Sequence, residues 1–291
     1  MQKVFEEKLA AVNTLLSRLL SQSEGEEHSR VLEAMEYSAS AGGKRIRPLL
    51  VLEFCSLCGG RWEDALPFAA AIEMVHTYSL IHDDLPCMDD DDLRRGRPSC
   101  HVQFGEATAL LAGDGLLTDA FETLTGAELP AERIVRAVQI LSGHSGVRGM
   151  IGGQELDLEN EGKPELPLSV LTKTDEKKTA DLLIAACQLG VAAAGGTKED
   201  FAAAEKYGYA LGIAFQIVDD ILDVTSTPEA FGKPIGSDAE NGKPTYASML
   251  GLSGAKEEAE KYTARALEAL AHFPGNEALI LLTQSLLGRN N

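Results

Sequence analysis

The sequence predicts an all-α protein, a single-domain bundle of about ten or more helices, and three observations support that fold class. Apolar residues recur at intervals of three and four from the first residues onward, as in Phe5, Leu9, Val12 and Leu16. Alternating β-branched runs bounded by hairpin turns are missing. The segments between the periodic stretches are short, and no Pro- or Ser-rich linker divides the chain, so residues 1–291 are predicted to form one domain.

The predicted helices follow one another closely. They cover 5–20, 28–41, 46–57, 65–84, 103–126, 130–145, 147–159, 167–195, 199–226, 255–272 and 275–288. Gly42-Gly43 is a typical signal after a helix C-terminus, and Pro48 is tolerated in the first turn of the third helix. The fourth helix is expected to end after Asp84, because Pro86 disfavours α geometry at Leu85. Runs of alanine on several helices fit close packing or an elongated central cavity, and composition does not choose between them.

Composition excludes several functional classes. With 45 acidic and 26 basic residues the net charge is −19, which argues against a nucleic-acid partner and against anionic lipid surfaces. The 44% hydrophobic content excludes a disordered chain. Five cysteines form no disulfide framework, and Cys55 and Cys58 lack a second pair at zinc spacing, so they are predicted core positions. No signal region or membrane-spanning apolar run is recognisable, and a cytoplasmic location is expected.

The first acidic cluster lies at the predicted C-terminus of the fourth helix. It contains six aspartates within ten residues, namely Asp83, Asp84, Asp89, Asp90, Asp91 and Asp92. The helix dipole disfavours carboxylates at that end, so a function is a better explanation than local propensity. Taken alone, the cluster could also be a solvated helix end.

The second acidic cluster is embedded in apolar sequence. Asp219 and Asp223 are four residues apart and share a helix face with Gln216, while Asp220 lies beside them. Carboxylates in apolar surroundings must be protonated, paired or metal-bound. Oxygen ligands without His or Cys favour a hard cation, Mg²⁺ first, whereas the EF-hand pattern for Ca²⁺ is missing. A solvated helix face is the alternative for this cluster alone.

Cations accompany the clusters and predict an anionic substrate. The segment 42–48 carries Lys44 and Arg47 at a helix start, and Arg94-Arg95 follow the first cluster. Lys177-Lys178-Thr179 and Lys233 are further candidates, although isolated basic residues commonly lie on solvated faces. Magnesium bound by few carboxylates typically completes its coordination with phosphate. The pattern therefore predicts two anionic groups, one bridged by magnesium and one bound by cations alone.

These motifs resemble the short-chain trans-isoprenyl diphosphate synthases of the polyprenyl synthetase family, and among them the bacterial farnesyl diphosphate synthases. The resemblance runs from about 25 to 250. It rests on Gly42-Gly43-Lys44-Arg45-x-Arg47-Pro48, Asp83-Asp84-x4-Asp89 with Arg94-Arg95, Cys100-His101-x-x-Phe104-Gly105-Glu106-Ala107, Gly113-Asp114, Gly149-Met150-x-Gly152-Gly153-Gln154-x-x-Asp157 and Phe215-Gln216-x-x-Asp219-Asp220-x-x-Asp223. Two stretches depart from the family pattern: K-T-G-A-L is Lys178-Thr179-Ala180-Asp181-Leu182 here, and K-A-T-Y is Lys243-Pro244-Thr245-Tyr246.

The resemblance implies the isoprenoid synthase fold, a homodimer and a Mg²⁺-dependent condensation of isopentenyl diphosphate with an allylic diphosphate. It also implies roles for individual residues. Three Mg²⁺ ions would be bound by Asp83, Asp84, Asp89, Asp219, Asp220 and Asp223. The allylic substrate would contact Arg94, Lys178, Thr179, Gln216 and Lys233. Isopentenyl diphosphate would contact Lys44, Arg47, His76 and Arg95. His76 lies two helical turns before Asp83; a packed core histidine is the alternative.

Product length is expected to depend on Tyr78 and Ser79. They precede Asp83 by five and four residues, or roughly 6–7.5 Å along a helix. A bulky Tyr78 would stop the growing chain, and C15 producers of the family are similar here, so farnesyl diphosphate is the predicted product. Geranyl and geranylgeranyl diphosphate are alternatives. A terpene cyclase and a non-catalytic helical partner subunit are more remote, since both aspartate motifs and the Gly42–Pro48 cations are present.

Overall fold

The computed structural model describes residues 2–21, 29–163, 166–225 and 243–288. In these ranges the chain is almost entirely helical, which confirms the all-α class. The helices are α1 (Gln2–Leu20), α2 (Ser29–Ala39), α3 (Ile46–Leu57), α4 (Leu66–Asp83), α5 (Cys100–Phe104), α6 (Glu106–Thr125), α7 (Ala131–Ser145), α8 (Met150–Asn160), α9 (Leu168–Asp175), α10 (Asp181–Ala194), α11 (Lys198–Thr225), α12 (Tyr246–Leu270) and α13 (Glu277–Leu287). A 3₁₀ turn covers Trp62–Ala65, and a π turn covers Glu176–Ala180.

Helix α10 lies at the centre of the bundle. Its residues from Asp181 to Ala193 are all buried, and it packs against α3, α7 and α11. Gly190 lets the α3 backbone approach closely at Val51. Because the helix is surrounded by its neighbours, it is mostly apolar around its whole circumference. Helix α4 packs along α6, and α11 packs along α12. The two helices that carry the aspartate motifs, α4 and α11, are thereby fixed by extensive burial.

Most predicted helices are present, and the differences have local causes. The predicted helix 103–126 is interrupted at Gly105, whose φ of 89° is incompatible with a helix. The predicted helix 167–195 is divided into α9, the π turn and α10. The start predicted at 255 is wrong, because α12 begins at Tyr246 after a capping box made by Thr245 and Ser248. Its backbone leaves helical geometry at Gly251, which obscures the periodicity there.

A two-stranded hairpin follows the first aspartate cluster, and the sequence pattern did not predict it. Strands β1 (Leu93–Arg94) and β2 (Arg97–Pro98) are antiparallel and pair Arg94 with Arg97. The turn residues Arg95 and Gly96 both have positive φ, as in the hairpin turns that match strand twist. Tyr37 of α2 donates a hydrogen bond to the Pro98 carbonyl (2.9 Å) and packs against the Arg97 guanidinium, so the hairpin is anchored.

Other composition-based expectations concern single residues. Cys55 is buried and Cys58 is half-buried, and both are free thiols, in keeping with core positions. Within the described ranges, no helix combines the length and the apolarity that crossing a membrane requires.

Candidate active site

The first aspartate cluster folds back on the end of α4. Asp83 is the last residue of the helix, and its carbonyl accepts a hydrogen bond from the Asp89 amide (2.8 Å). This turn brings the two carboxylates of the D-D-x4-D pattern together. Burial raises the pKa of Asp83 to about 6, with Asp89 also raising it and Lys178 opposing both. The Asp83 carboxylate is therefore partly removed from solvent, and Lys178 is the cation that acts on it most strongly.

Arg94 connects the hairpin to the cluster. Its Nε donates to Asp84 Oδ1 (2.9 Å), and its Nη2 contacts both Asp84 and Asp91. The Asp84 side chain is only 2% exposed, so the guanidinium compensates a buried carboxylate. The structure thus places Asp84, a predicted metal ligand, in an ion pair with Arg94, a predicted substrate contact.

Arg95 joins the hairpin to the glycine pair before α3. Its Nη1 donates a hydrogen bond to the Gly42 carbonyl. A Cβ at Gly43 would lie only 2.6 Å from Arg95 Nη1, and Gly43 has a φ of 121°. Glycine is therefore required here both for the backbone conformation and for the close approach of the guanidinium.

The three cations of the segment 42–48 have different environments. Arg45 turns inward, with φ 48°, and pairs with buried Glu73 (Nη1 to Oε1, 2.6 Å). Its Nε also donates to Asn13 (3.1 Å). Lys44 is exposed and Arg47 is half-buried. These contacts anchor Arg45, and through it they help to orient Lys44 and Arg47, the predicted substrate contacts on either side.

Arg47, Arg95 and His76 form a cationic cluster, and Glu73 is an acidic side chain that acts on both arginines. Burial lowers the pKa of Arg47 to about 10, and its buried Nε has no hydrogen-bond partner within the described residues. Burial holds the pKa of His76 well below its usual value, and the nearby guanidinium groups of Arg47 and Arg95 lower it further. A neutral imidazole beside several guanidinium groups is suited to binding an anion that needs no metal.

The second aspartate cluster lies on α11. Both oxygens of Asp220 accept hydrogen bonds, from Gln216 Nε2 (3.0 Å) and from the Tyr246 amide at the start of α12 (2.9 Å). Asp223 is buried and Asp219 is half-buried. Asp220 is therefore tied to the helix framework, while Asp219 and Asp223 share the helix face predicted from their spacing.

The π turn places Lys178 between the two clusters. Its Nζ donates to Asp157 of α8 (2.6 Å), and Thr179 donates to Gln216 of α11 (3.4 Å). The Lys178 charge also reaches Asp83, whose pKa it lowers against the larger effect of burial. The sequence predicted no role for Asp157, the last residue of the G-G-Q-x-x-D stretch. Its ion pair with Lys178 would have indicated one, but sequence alone did not reveal that pair.

Two further charged residues near the site were not predicted. Lys243 lies 3.1 Å from Glu161 Oε1 and 3.8 Å from Asp157 Oδ2. Asp175 is buried, and its Oδ2 has no partner among the described residues; burial and the charges of Asp220 and Asp157 raise its pKa well above the usual value. Lys243 could have been found from its K-P-T-Y stretch, whereas no sequence signal marks Asp175.

The donor set fits a divalent cation that shares its ligands with a substrate. In the described ranges no group of three or more Asp, Glu, His or Cys side chains is arranged to hold a metal alone. The half-buried carboxylate of Asp83 and the exposed carboxylate of Asp89 nevertheless match the oxygen ligands of Mg²⁺, which takes its remaining ligands from water and phosphate. Lys233, a predicted substrate contact, lies outside the described residues.

Tyr78 and Ser79 lie on α4 before the first cluster. Tyr78 is 5% exposed, its hydroxyl has no hydrogen-bond partner in the described chain, and burial raises its pKa to about 12. The ring meets His82 edge to face, with 5.7 Å between centroids. Ser79 donates to the His76 carbonyl (2.9 Å). The role of Tyr78 and Ser79 in product length stays a prediction.

The departure at position 180 is accommodated by packing. Ala180 is fully buried, and a Cβ at Gly212 of α11 would lie 2.5 Å from the Ala180 Cβ. Gly212 therefore provides the space for the methyl group that the family's usual glycine lacks.

Comparisons with known proteins identify the family of this chain. The polyprenyl synthetase family model matches residues 28–274. The farnesyl diphosphate synthase of Geobacillus stearothermophilus is 47% identical, covering 88% of this chain and 86% of its own. A geranylgeranyl pyrophosphate synthase large subunit of Arabidopsis thaliana is 44% identical, covering 90% and 70%. The crystal structure of a geranyltransferase from Legionella pneumophila superposes with a TM-score of 0.87 at 35% identity, over 100% and 98% of the two chains. The chain belongs to the polyprenyl synthetase family and has its all-helical isoprenoid synthase fold.

Proposed function

We propose that this prenyltransferase condenses isopentenyl diphosphate head-to-tail with dimethylallyl and then geranyl diphosphate, giving farnesyl diphosphate and releasing diphosphate. The observation that supports the proposal is the pairing of two unlike clusters of charged side chains in one helical bundle. One combines half-buried Asp83 and exposed Asp89 with Lys178; the other combines Arg47, Arg95 and neutral His76. A reaction that joins two diphosphates needs both.

The allylic diphosphate would bind between the aspartate clusters. Bound Mg²⁺, three ions in this proposal, would neutralise the charge that develops on the leaving diphosphate. Asp83, Asp89 and Asp219 would hold the metal, with Asp84, Asp220 and Asp223 as their neighbours. Arg94, Lys178, Thr179, Gln216 and Lys233 would contact the same diphosphate. The carbon–oxygen bond breaks as these groups stabilise the leaving group.

Isopentenyl diphosphate would bind at the cationic cluster of Arg47, Arg95 and His76. Lys44, Arg47 and Arg95 offer charge, and His76 offers a neutral ring nitrogen. The substrate double bond attacks the allylic cation, and a proton is then lost to the released diphosphate. Because water would quench the cation, the apolar packing around Tyr78 serves to exclude it and to limit the chain to 15 carbons.

The state of the enzyme is part of the proposal. A cytoplasmic homodimer built from one domain per chain is expected. The adjacent exposed side chains of Leu110 and Leu111 on α6 support a contact between copies.

The test is a condensation assay with purified protein. Isopentenyl diphosphate is combined with each allylic diphosphate, with and without Mg²⁺, and the product alcohols are identified. We expect farnesol from the Mg²⁺-dependent reaction. Geranylgeraniol or geraniol would correct the product, and a cyclised product from one diphosphate would indicate a cyclase. No condensation under any condition would overturn the enzyme proposal and favour a partner subunit.

Three variants sharpen the test. Asp83→Ala and Asp219→Ala should each reduce turnover by orders of magnitude while the circular dichroism remains helical. Asp64→Ala is the matched control, because Asp64 is an exposed carboxylate on the Trp62–Ala65 turn, outside both clusters. Equal activity of all three variants would remove the clusters from the mechanism.

A further inference from the structure

Asp181 is a buried carboxylate that the proposed reaction does not use. It is the first residue of α10 and is 4% exposed. It stands where the family motif K-T-G-A-L has alanine, so the family pattern assigns it no role. A buried charge is costly unless it is paired and hydrogen-bonded, and its surroundings therefore indicate what it does.

Both oxygens of Asp181 are engaged. Oδ1 accepts from His144 Nδ1 of α7 (2.9 Å), and Oδ2 accepts from Lys177 Nζ (2.9 Å). Lys177 and His144 line a groove of about 330 Å³ between α7 and α10, whereas the adjacent Lys178 contacts Asp157 of α8. Asp181 therefore holds Lys177 on the α7 side of the turn, while Lys178 lies on the α8 side with Asp157.

The π turn between α9 and α10 requires such support. π turns are rare and are frequently found at functional sites. Gly153 of α8 approaches the Lys178 backbone so closely that a Cβ would overlap it, which fixes one side. Asp181 fixes the other side to α7. Because α10 is buried on all faces, it is held in place by its neighbours. If the π turn became an α turn, residues 176–180 would therefore have to rotate, by about 100°. Lys178 would then leave Asp157.

We propose that Asp181 is a positioning residue which, through His144 and Lys177, locks the π turn so that Lys178 and Thr179 face the allylic diphosphate. The substrate in this inference rests on the proposed function. The lock itself is a property of the turn, so it is testable with or without turnover.

The first experiment is Asp181→Ala, which installs the residue of the family pattern. We expect KM for the allylic diphosphate to rise by about fivefold or more, with KM for isopentenyl diphosphate unchanged. Asp181→Asn should recover part of the loss, since its amide oxygen can still accept one hydrogen bond. Asp200→Ala is the matched control: Asp200 makes a similar pair with His272 (2.8 Å) on α11, outside the turn, and both KM values should stay unchanged.

The second experiment reads the turn without activity. Lysine acylation followed by mass spectrometry should show faster modification of Lys178 in Asp181→Ala than in wild type, but unchanged modification in Asp200→Ala. An unchanged Lys178 rate together with unchanged KM values, even if the melting temperature falls, would overturn the lock. An inactive wild type would refute the proposed function instead, and the acylation rates would still decide the inference.

Discussion

Asp83 shows how one residue couples burial to function. Its folded-state pKa of about 6 lies above the ordinary value of 3.8, so the folded protein binds this proton more readily than the unfolded chain does. The free energy of unfolding must therefore fall as pH rises from about 4 to about 6, and stay low above that. The carboxylate is kept charged at neutral pH at a cost in stability, which a bound cation offsets.

The prediction compares Asp83→Asn with wild type without metal. Between about pH 5 and pH 7.5, wild type should lose stability relative to Asp83→Asn, because only wild type ionises this buried group. Urea unfolding midpoints at the two pH values measure the difference. Asp64→Asn provides the exposed control and should follow wild type. Parallel pH dependences of wild type and Asp83→Asn would contradict the burial of this charge.

Tyr78 gives a second prediction at the scale of one side chain. Tyr78→Ala removes the ring from the apolar space before the first cluster, so products longer than 15 carbons should appear. Chromatography of the dephosphorylated products measures chain length. Tyr78→Phe keeps the bulk and removes only the unpartnered hydroxyl, so its product should match wild type. An unchanged product from Tyr78→Ala would show that another residue forms the floor.

At the scale of elements, a buried ion pair orients the start of α3. Arg45 has the left-handed backbone, at a cost of about 1–2 kcal/mol, and is retained by Glu73 and Asn13. Glu73→Gln leaves the guanidinium without its counter-charge and should cost about 3–5 kcal/mol. It should also raise KM for isopentenyl diphosphate, because Lys44 and Arg47 lie on either side of Arg45.

Denaturant unfolding and steady-state kinetics measure the two effects of Glu73→Gln. Glu258→Gln is the control, since Glu258 forms an ion pair with Lys261 on the exposed face of α12 (2.6 Å). That variant should leave stability and kinetics unchanged. If Glu73→Gln behaved like it, the pair would not orient the segment.

The contact of α8 with the π turn provides a matched pair of glycine variants. Gly153→Ala would force a methyl group into the Lys178 backbone and should cost about 1–3 kcal/mol while raising KM for the allylic diphosphate. Gly143→Ala, on α7, meets no atom within 4 Å and should stabilise the helix by about 0.5–1 kcal/mol. Thermal unfolding distinguishes the two, and similar stabilities would refute the close approach.

Over the whole molecule, the sequence predicted the features that have a regular spacing along the chain. It missed those that depend on tertiary contacts. Periodicity identified the helices, and spacing placed Asp219 and Asp223 on one face. The π turn and the Arg95-Gly96 hairpin carry no periodic pattern and were missed. Likewise, Arg45 reads as one more cation, because only the fold brings Glu73 to it. The pairing of Lys178 with Asp157 joins residues on different helices and follows from their packing.

The net charge of −19 is also a property of the whole molecule, and six plus three of its aspartates lie in the two clusters. Since no described group of three or more Asp, Glu, His or Cys side chains can hold a metal alone, Mg²⁺ by itself should bind weakly. Inorganic diphosphate by itself should occupy only the cluster of Arg47, Arg95 and His76 and give a smaller effect than the two together. When both are present, the diphosphate oxygens complete the coordination of Mg²⁺, and Mg²⁺ supplies the positive charge between the diphosphate and the carboxylates. At about 100 times the apparent Kd, the pair should add about 2.7 kcal/mol to the free energy of unfolding.

That gain corresponds to a rise in melting temperature of about 5–10 °C for a chain of this size. Differential scanning fluorimetry with Mg²⁺, with diphosphate, with both, and with NaCl at equal ionic strength separates specific binding from charge screening. Only the combination should give the full shift, and Asp219→Ala should abolish it while Asp64→Ala retains it. A full shift with Mg²⁺ alone would mean that the protein carboxylates complete the metal site, so the substrate would not be one of its ligands.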